Sequence, residues 1–287
     1  MTTYALCLIL AASFIHASWN YLSKQAGGRT PFLWLVATIS TVLYAPLVAA
    51  IFVFQRPKIG LTEIIFMTVS ALIHLAYFII LQRGYRVADL SIVYPMARGT
   101  GPALSTLGAI ALFGERPTVF AVAGAALIVV GVFIITSGRK HASEREAINR
   151  GISYGALTGA FIATYTLWDK RAVSGVMIHP LLLDYASQIA RVVMLAPVTF
   201  RNRGELTREW TVNRWPALGV GLLNPLSFIF FLMALVHTPV SYAAPARETS
   251  ILIGVIFGGR LLAEGDTGRR LVASGLMLIG IMALALG

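Results

Sequence analysis

The sequence predicts an all-α integral membrane protein with ten transmembrane helices, built as two inverted repeats of five helices each. The first observation is composition, since 57% of the 287 residues are apolar and 12% are charged, about half the charged fraction of a soluble domain. The second is a mean hydropathy of +0.77, which leaves too few polar residues to cover a soluble fold. The third is a series of apolar runs of the length that a spanning helix requires. The sequence lacks the alternation of apolar and polar residues that is typical of strands in a membrane β-barrel, so helices are expected throughout.

The ten predicted spans follow these apolar runs in order. They cover residues 4–23, 31–54, 63–82, 90–113, 117–136, 151–168, 180–200, 215–236, 241–263 and 270–286. Lys24 closes the first span, the segment 55–58 closes the second, and Arg83 follows the third. The segment 237–239 contains a proline and separates the eighth span from the ninth. The polar segment 138–150 lies at the middle of the chain and predicts a linker between a first domain, 1–137, and a second, 151–287.

The two halves match each other at a fixed spacing, which predicts an internal repeat. A shift of 149 residues pairs Arg98 with Arg247 and Glu115 with Glu264, and a shift of 146 pairs Trp19 with Tyr165. Charged residues are scarce here, so their match at one spacing is more telling than a match of apolar residues. Because five is odd, the second half starts on the opposite side of the membrane. The repeats are then inverted, as in many secondary transporters, whose binding site lies between the repeats near the midplane.

Several segments resemble a known family. The segment 111–118, which reads Ala-Leu-Phe-Gly-Glu-Arg-Pro-Thr, and the glycine-spaced run 124–131 resemble the signature of EamA-type carriers of the drug/metabolite transporter (DMT) superfamily. The segment 261–264 resembles a decayed second copy, and 16–20 and 94–100 resemble one subgroup of the family. The resemblance covers essentially the whole chain. It implies ten helices in two EamA repeats and transport of a small metabolite, but it does not imply a substrate.

Two arginines within spans are the strongest site candidates, because charged groups at mid-membrane depth usually face a cavity. Arg98 and Arg247 are repeat-related and are expected to converge, where two guanidiniums favour a carboxylate, phosphate or phosphonate. The alternative is a structural pair between Arg247 and either Glu248 or Asp184. Glu248 is a candidate for holding a substrate ammonium or a coupling proton. Adjacent helix positions point about 100° apart, so Arg247 and Glu248 cannot both face one spot.

A polar and aromatic stripe on the first span predicts a cavity-lining face. His16, Trp19, Asn20 and Ser23 follow the spacing of one helix face, and a lipid-facing stripe would be apolar. Because histidine titrates near neutral pH, His16 is also a candidate for proton coupling. The competing interpretation is a structural histidine whose hydrogen bonds are made within the protein.

Further aromatic candidates lie on other spans. Tyr165 is the repeat partner of Trp19, Tyr94 and Tyr242 are candidate aromatic walls, and His74 and Tyr77 form a pair three residues apart. Asn224 and Phe228 on the eighth span are weaker candidates. Helix packing is the competing interpretation for each of them.

The sequence argues against an enzyme and against a cofactor. It has one cysteine and five histidines without a metal-binding spacing, and it has no nucleophile motif and no nucleotide-binding loop. The net charge of +11 reflects loop residues that set membrane topology rather than a nucleic-acid surface. The expected partners are a small-molecule substrate, the lipid bilayer and, as one option, a coupling proton. A monomer and a homodimer both remain open.

We therefore expect a secondary carrier in the inner (plasma) membrane that moves a small anionic or zwitterionic metabolite, such as an amino acid or an aminophosphonate. The runner-up is an exporter of aromatic or other hydrophobic amino acids or of drugs, and an intramembrane enzyme is the rival outside transport. Fourteen loop arginines and lysines lie on the side opposite to the termini and five on the side of the termini. The positive-inside rule thus favours termini outside the cytoplasm, whereas the family resemblance suggests cytoplasmic termini.

Overall fold

The computed structural model describes residues 1–26, 30–88, 90–136, 145–201, 203–253 and 267–287. Within these ranges the structure is helical and contains no strand, which confirms the predicted all-α class. The helices are α1 (Thr3–Ala26), α2 (Thr30–Phe54), α3 (Leu61–Val87), α4 (Leu90–Phe113), α5 (Val119–Thr136), α6 (Arg145–Ser174), α7 (Pro180–Phe200), α8 (Arg203–His237), α9 (Val240–Arg247) and α10 (Thr267–Leu286). A short helical stretch, 249–253, follows α9.

Helices α4 and α7 have the predicted bounds, whereas α6 and α8 begin earlier than predicted. Helix α6 starts at Arg145, inside the predicted linker, and residues 138–144 lie outside the described part of the chain. Helix α8 starts at Arg203 and bends at Asn213, where φ is −114° and ψ is 19°. The predicted starts were wrong because hydropathy detects apolar segments only, and both extensions are polar turns that continue an apolar helix.

The ninth predicted span is interrupted. Helix α9 ends at Arg247, Glu248 forms a turn, and the helix resumes at 249. Pro245 lies within the last turn of α9 and removes one backbone donor there. The remainder of the predicted span, 254–263, and the repeat-related Glu264 lie outside the described residues.

The outer surface of the molecule is apolar. Among the described residues, five helices, α1, α2, α3, α7 and α8, are long and apolar enough to cross a membrane, and α5 and α10 contain shorter apolar stretches. Large side chains such as Phe54, Phe120 and Val193 are exposed on these helices. An exposed apolar surface of this extent is typical of contact with lipid.

The packing of α5 against α10 shows the inverted relation of the two halves. A Cβ atom on Gly280 would lie 2.7 Å from the carbonyl oxygen of Gly124, and one on Gly131 would lie 3.0 Å from that of Ala273. A shift of 149 residues converts one contact into the other. Residue numbers rise along α5 as they fall along α10, so these two repeat-related helices are antiparallel. Equivalent helices that run in opposite directions define two repeats related by an axis across the helices.

The same symmetry joins the halves elsewhere. Helix α1 packs along α8, and its equivalent α6 packs along α3, the equivalent of α8. Helix α2 packs against its own equivalent, α7. The indole nitrogen of Trp34, near the start of α2, donates to the carbonyl oxygen of Val192, in the second half of α7, at 3.0 Å. Each half therefore completes the other, and the space between them is bounded by both.

Candidate substrate-binding site

A cavity of about 370 Å³ lies between the two repeats. Its wall includes residues of α1, α2, α3, α4, α6, α7, α8 and α9. Eight of the ten predicted site residues line it, and these are His16, Trp19, Asn20, Tyr77, Tyr94, Arg98, Tyr165 and Arg247. The volume is in the range of small-ligand sites.

Arg98, on α4, is bound to two groups from other helices. Its Nη1 lies 3.4 Å from Oε1 of Glu248, and its Nη2 lies 3.0 Å from Nε2 of His16. Its guanidinium carbon also lies 5.6 Å from the centroid of the Tyr94 ring. A guanidinium only donates hydrogen bonds, so Nε2 of His16 accepts, and the proton of a neutral His16 is on Nδ1. The charge of Arg98 is thus already balanced by the protein.

Glu248 does not line the main cavity. It borders a small gap behind Arg98, together with Pro102 and Thr166. Its side chain is 3% exposed, and its Oε2 has no hydrogen-bond partner among the described residues. As expected for adjacent positions, Arg247 and Glu248 do not face one spot squarely, since both border the gap but only Arg247 also lines the main cavity. The Oε1 of Glu248 instead accepts from Arg98.

Arg247 has a different environment, although it is the repeat partner of Arg98. Its guanidinium carbon lies 4.4 Å from the centroid of Phe231 and 5.5 Å from that of Phe228. The described residues contain no ion pair between Arg247 and a carboxylate, so the alternative pairing with Glu248 or Asp184 is not observed. Ring faces stabilise a cation without neutralising it. Arg247 therefore presents a positive charge to the cavity.

Helix α7 contributes a polar stripe to the cavity that was not predicted from the sequence. Asp184, Gln188 and Arg191 all line the cavity. The Nε2 of Gln188 donates to both carboxylate oxygens of Asp184 at 3.2 and 3.3 Å, and its Oε1 accepts from Arg191 at 3.5 Å. The signal was available, because polar residues at positions i, i+4 and i+7 of an apolar span mark one helix face.

Aromatic rings form much of the remaining wall. The rings of His74 and Tyr165 stack at 4.2 Å, and Tyr77 meets Tyr165 edge-on at 5.7 Å. His16 meets Trp19 edge-on at 4.8 Å. The indole nitrogen of Trp19 is buried without a hydrogen-bond partner among the described residues. A donor of this kind beside a cavity is suited to a ligand oxygen.

Tyr242 lies away from the cavity, at one end of the bundle. Its hydroxyl donates to the carbonyl oxygen of Gly287 at 3.2 Å and accepts from the backbone N–H of Thr118 at 3.3 Å. In the same region both carboxylate oxygens of Glu115 accept from the first backbone N–H groups of α9, at 2.8 and 2.9 Å. A carboxylate at a helix N-terminus satisfies its unpaired donors. Tyr242 thus helps to hold this end together and does not form an aromatic wall.

The cavity extends to the opposite end. Its wall includes Ser23, Leu33, Tyr85 and Leu195, which lie near the end of α1, the start of α2, the end of α3 and the end of α7. The Trp34 ring contacts the ring of Phe200 at 5.1 Å, which places the end of α7 beside the start of α2. We call this the open end, and the end that contains Glu115 and Tyr242 the closed end.

The closed end is also held by Lys170 of α6. Its ammonium donates to the carbonyl oxygen of Thr238, at 3.1 Å, and to that of Leu235. These carbonyls lie at the C-terminus of α8 and have no partner within that helix. Lys170 therefore joins the second-repeat helices α6 and α8 at this end.

Comparison with known proteins decides the family. The model of the EamA-like transporter family matches residues 3–137 and 149–286, one copy in each half. The chain belongs to the EamA-like transporter family. The resemblance to EamA-type carriers of the DMT superfamily is thereby confirmed, and so is the arrangement as two EamA repeats. As a family member the protein is a multi-pass membrane protein of the transporter class, with a small-molecule substrate and a lipid environment.

One solved structure, titled "Crystal structure of protein", is similar over 100% of this chain and 99% of its own, with a TM-score of 0.78 and 16% identity. At this identity the similarity concerns the fold. A search of the curated proteins gives no match.

Proposed function

We propose that this EamA-type protein is a secondary transporter of a small anionic or zwitterionic metabolite, such as an amino acid or an aminophosphonate. The observation that carries the proposal is Arg247, a cation beside the cavity whose described contacts are ring faces rather than a carboxylate. A carboxylate or phosphonate is the group that a guanidinium binds best, through paired charge-assisted hydrogen bonds.

The balance of charges around the cavity supports the same substrate class. Arg98, Arg191 and Arg247 line it together with one carboxylate, that of Asp184. Glu248 balances Arg98 from behind, which leaves a net positive charge around the substrate space. A cavity of that sign concentrates anions. Asp184, held in place by Gln188, supplies the complementary acceptor for a substrate ammonium.

The aromatic wall favours a second candidate within the same class of transporter. Tyr77, Tyr165 and Phe228 surround the cavity beside Arg247. An aromatic or other hydrophobic amino acid would place its charged groups on Arg247 and Asp184 and its side chain against these rings. Transport of such an amino acid differs from the main proposal only in the group that fills the aromatic region.

The two ends of the molecule support alternating access as the mechanism. The cavity reaches the open end, and bonds from Glu115, Lys170 and Tyr242 hold the closed end. In an inverted repeat, exchange of the two conformations opens the other end. The open end lies on the side opposite to the termini, to which the predicted topology assigns fourteen basic loop residues. The positive-inside rule therefore favours the cytoplasm for this end in a cell whose inner membrane holds the carrier.

A thermal-shift screen tests this proposal. The purified protein in detergent is heated with amino acids, aminophosphonates, organic acids, sugars and amines. A ligand at 100 times its Kd adds about 2.7 kcal/mol to the free energy of unfolding. We expect the stabilising compounds to carry a carboxylate or a phosphonate and to be taken up by proteoliposomes without chemical change. Stabilisation only by amines or by neutral compounds would contradict the proposal, and consumption of the ligand would indicate an enzyme.

A further inference from the structure

We propose that His74 and Asp169 form a proton-binding site of this protein, between the cavity and the closed end. His74 belongs to α3 in the first repeat, and its side chain lines the cavity. Asp169 belongs to α6 in the second repeat, and its side chain is 1% exposed. Sequence reasoning placed a coupling proton on Glu248 or His16, but both of these already interact with Arg98.

The hydrogen-bond pattern fixes where each existing proton is. The Nδ1 of His74 lies 2.9 Å from the carbonyl oxygen of Ser70, and because a carbonyl only accepts, Nδ1 carries the ring proton. The hydroxyl of Ser70 donates to Oδ1 of Asp169 at 2.6 Å. The Nε2 of a neutral His74 is therefore an acceptor, and so is Oδ2 of an ionised Asp169.

These two acceptors face each other. The Nε2 of His74 and Oδ2 of Asp169 are 3.7 Å apart, and neither has a hydrogen-bond partner among the described residues. Two buried acceptors without a donor are costly, because each has lost its hydrogen bonds to water. One proton, on either atom, converts the repulsive contact into an N–H···O or O–H···N hydrogen bond. The site thus lacks one proton.

The charged groups around the pair link this proton to an anion in the cavity. Arg191 and Asp184 on α7 and Arg247 on α9 interact electrostatically with the pair. Helix α6 adds the Tyr165 ring, and α8 adds the uncharged Phe228 ring. Arg247 interacts with both members of the pair and Arg191 with His74, so these cations oppose the addition of a positive charge to the pair. An anion bound to Arg247 offsets that cation, so anion binding and proton binding strengthen each other by the same factor.

The position of the pair suits coupling. The Ser70–Asp169 bond joins the two repeats, which must move relative to each other in alternating access. Asp169 also precedes Lys170, whose ammonium holds the closed end. Proton binding therefore changes a contact between the repeats, beside the end that must open. The binding of the proton is independent of the transport function proposed above, whereas its coupling to transport rests on that function. Coupling predicts that the proton and the anion move in the same direction.

Infrared difference spectroscopy of the full-length protein in lipid, without substrate, tests the proton site. Acid-minus-alkaline spectra are recorded for wild type, D169N and H74Q, in H2O and D2O. We expect a D2O-sensitive band of a buried carboxylic acid or imidazolium in wild type that both variants lack. The matched control is E209Q, since Glu209 is also a buried carboxyl, is held by Asn213 at 2.6 Å and lies outside the cavity. E209Q should retain the band.

A band that persists unchanged in D169N and H74Q would overturn the proposal. D169E guards against a folding defect, because it restores a carboxyl group and should restore a shifted band. If D169E folds and shows no band, the assignment to this pair fails.

Proteoliposomes test the coupling separately. Phenylalanine and aminomethylphosphonate serve as zwitterionic probes, with and without an inward-directed proton gradient. We expect the gradient to accelerate wild-type uptake at least tenfold and to have no effect on D169N, which still exchanges probe across the membrane. Equal acceleration in D169N would contradict the coupling. Absence of wild-type uptake of both probes would count against the proposed substrate class and leave the infrared result to decide the proton site.

Discussion

Arg98 and Arg247 occupy equivalent positions in the two repeats, yet the structure uses them differently. Arg98 is paired with Glu248 and His16, whereas Arg247 lies over the rings of Phe231 and Phe228. The repeat brings both guanidiniums to the cavity, and the neighbours decide how much charge each presents there. In an inverted-repeat protein, the symmetry can thus bring equivalent residues of both repeats to one cavity. A single residue that differs between the repeats can then determine which of the two equivalent residues is available to bind a ligand.

Glu248 is that asymmetric residue. Its equivalent in the first repeat, at the same shift of 149, is Gly99. A side chain at Gly99 would collide with the ring of Phe133, so the first repeat cannot carry an acid there without repacking. The only acid of the two positions accepts a hydrogen bond from Arg98. Arg247 has no ion pair with a carboxylate in the part of the chain that the structure describes, although it borders the same small gap as Glu248 and interacts with it electrostatically.

The largest expected effect is on stability, in Glu248→Ala. This change leaves the buried Arg98 without its carboxylate, and breaking a buried ion pair from one side costs about 3–5 kcal/mol of unfolding free energy. Titration with a denaturing detergent in mixed micelles measures it. Arg247→Ala, which removes a cation held by ring faces, should cost about 0.5–2 kcal/mol. Equal losses of unfolding free energy in Glu248→Ala and Arg247→Ala would contradict the different environments assigned to Arg98 and Arg247.

The second effect is on ligand affinity, in Arg247→Ala. Hydrogen bonds to charged groups contribute about 1.5–3 kcal/mol, so an anionic or zwitterionic ligand should bind about 10- to 150-fold more weakly. Calorimetric titration with a compound that stabilises wild type measures this change. Arg247→Lys keeps the charge but not the paired hydrogen-bond geometry, so its ligand affinity should lie between those of wild type and Arg247→Ala. Unchanged affinity in Arg247→Ala would remove this residue from the site.

A smaller effect is expected in Phe231→Leu. This variant keeps an apolar side chain of similar volume but removes the ring face that lies 4.4 Å from the Arg247 guanidinium. We expect ligand affinity to fall by about 2- to 30-fold, which corresponds to a cation–π contribution of about 0.5–2 kcal/mol. The same titration in the Arg247→Ala background provides the control, because there Phe231→Leu should have no further effect on affinity.

The smallest effect is expected in Tyr242→Phe. It removes the hydroxyl bonds to Gly287 and Thr118 at the closed end, at a cost of about 0.5–1.5 kcal/mol of unfolding free energy. Ligand affinity should stay at the wild-type value, because the side chain lies outside the cavity. A clear loss of affinity would return Tyr242 to the site.

The fold was largely predictable, because apolar runs of spanning length leave helices as the expected elements. Helices α4 and α7 even begin and end at the predicted residues. The early starts of α6 and α8 were not predictable from hydropathy, since Arg145 and Arg203 open polar turns. The break at Glu248 was missed because residues 241–263 were taken as one span, although Pro245 lies three residues before the break.

The site was predictable in its membership but not in its pairings. Arg98 and Arg247 were singled out because charged groups are costly within a span, and His16 and Trp19 because they share a polar and aromatic helix face. All four line the cavity. Which carboxylate meets which arginine depends on helix rotation and on contacts across the repeats, and one sequence does not contain that geometry. Tyr242 was predicted wrongly, because a tyrosine near the start of a helix can either line a cavity or form hydrogen bonds between helices, and the sequence does not distinguish the two.

The central claim is that Arg247 holds the anionic group of the substrate. The most direct measurement compares the affinities of an amino acid and its carboxamide, for wild type, Arg247→Ala and Arg98→Ala. We expect wild type to prefer the acid over the amide at least tenfold, Arg98→Ala to keep most of that preference, and Arg247→Ala to lose it. If Arg247→Ala still distinguishes the acid from the amide as wild type does, the anionic group is bound elsewhere and the account is wrong.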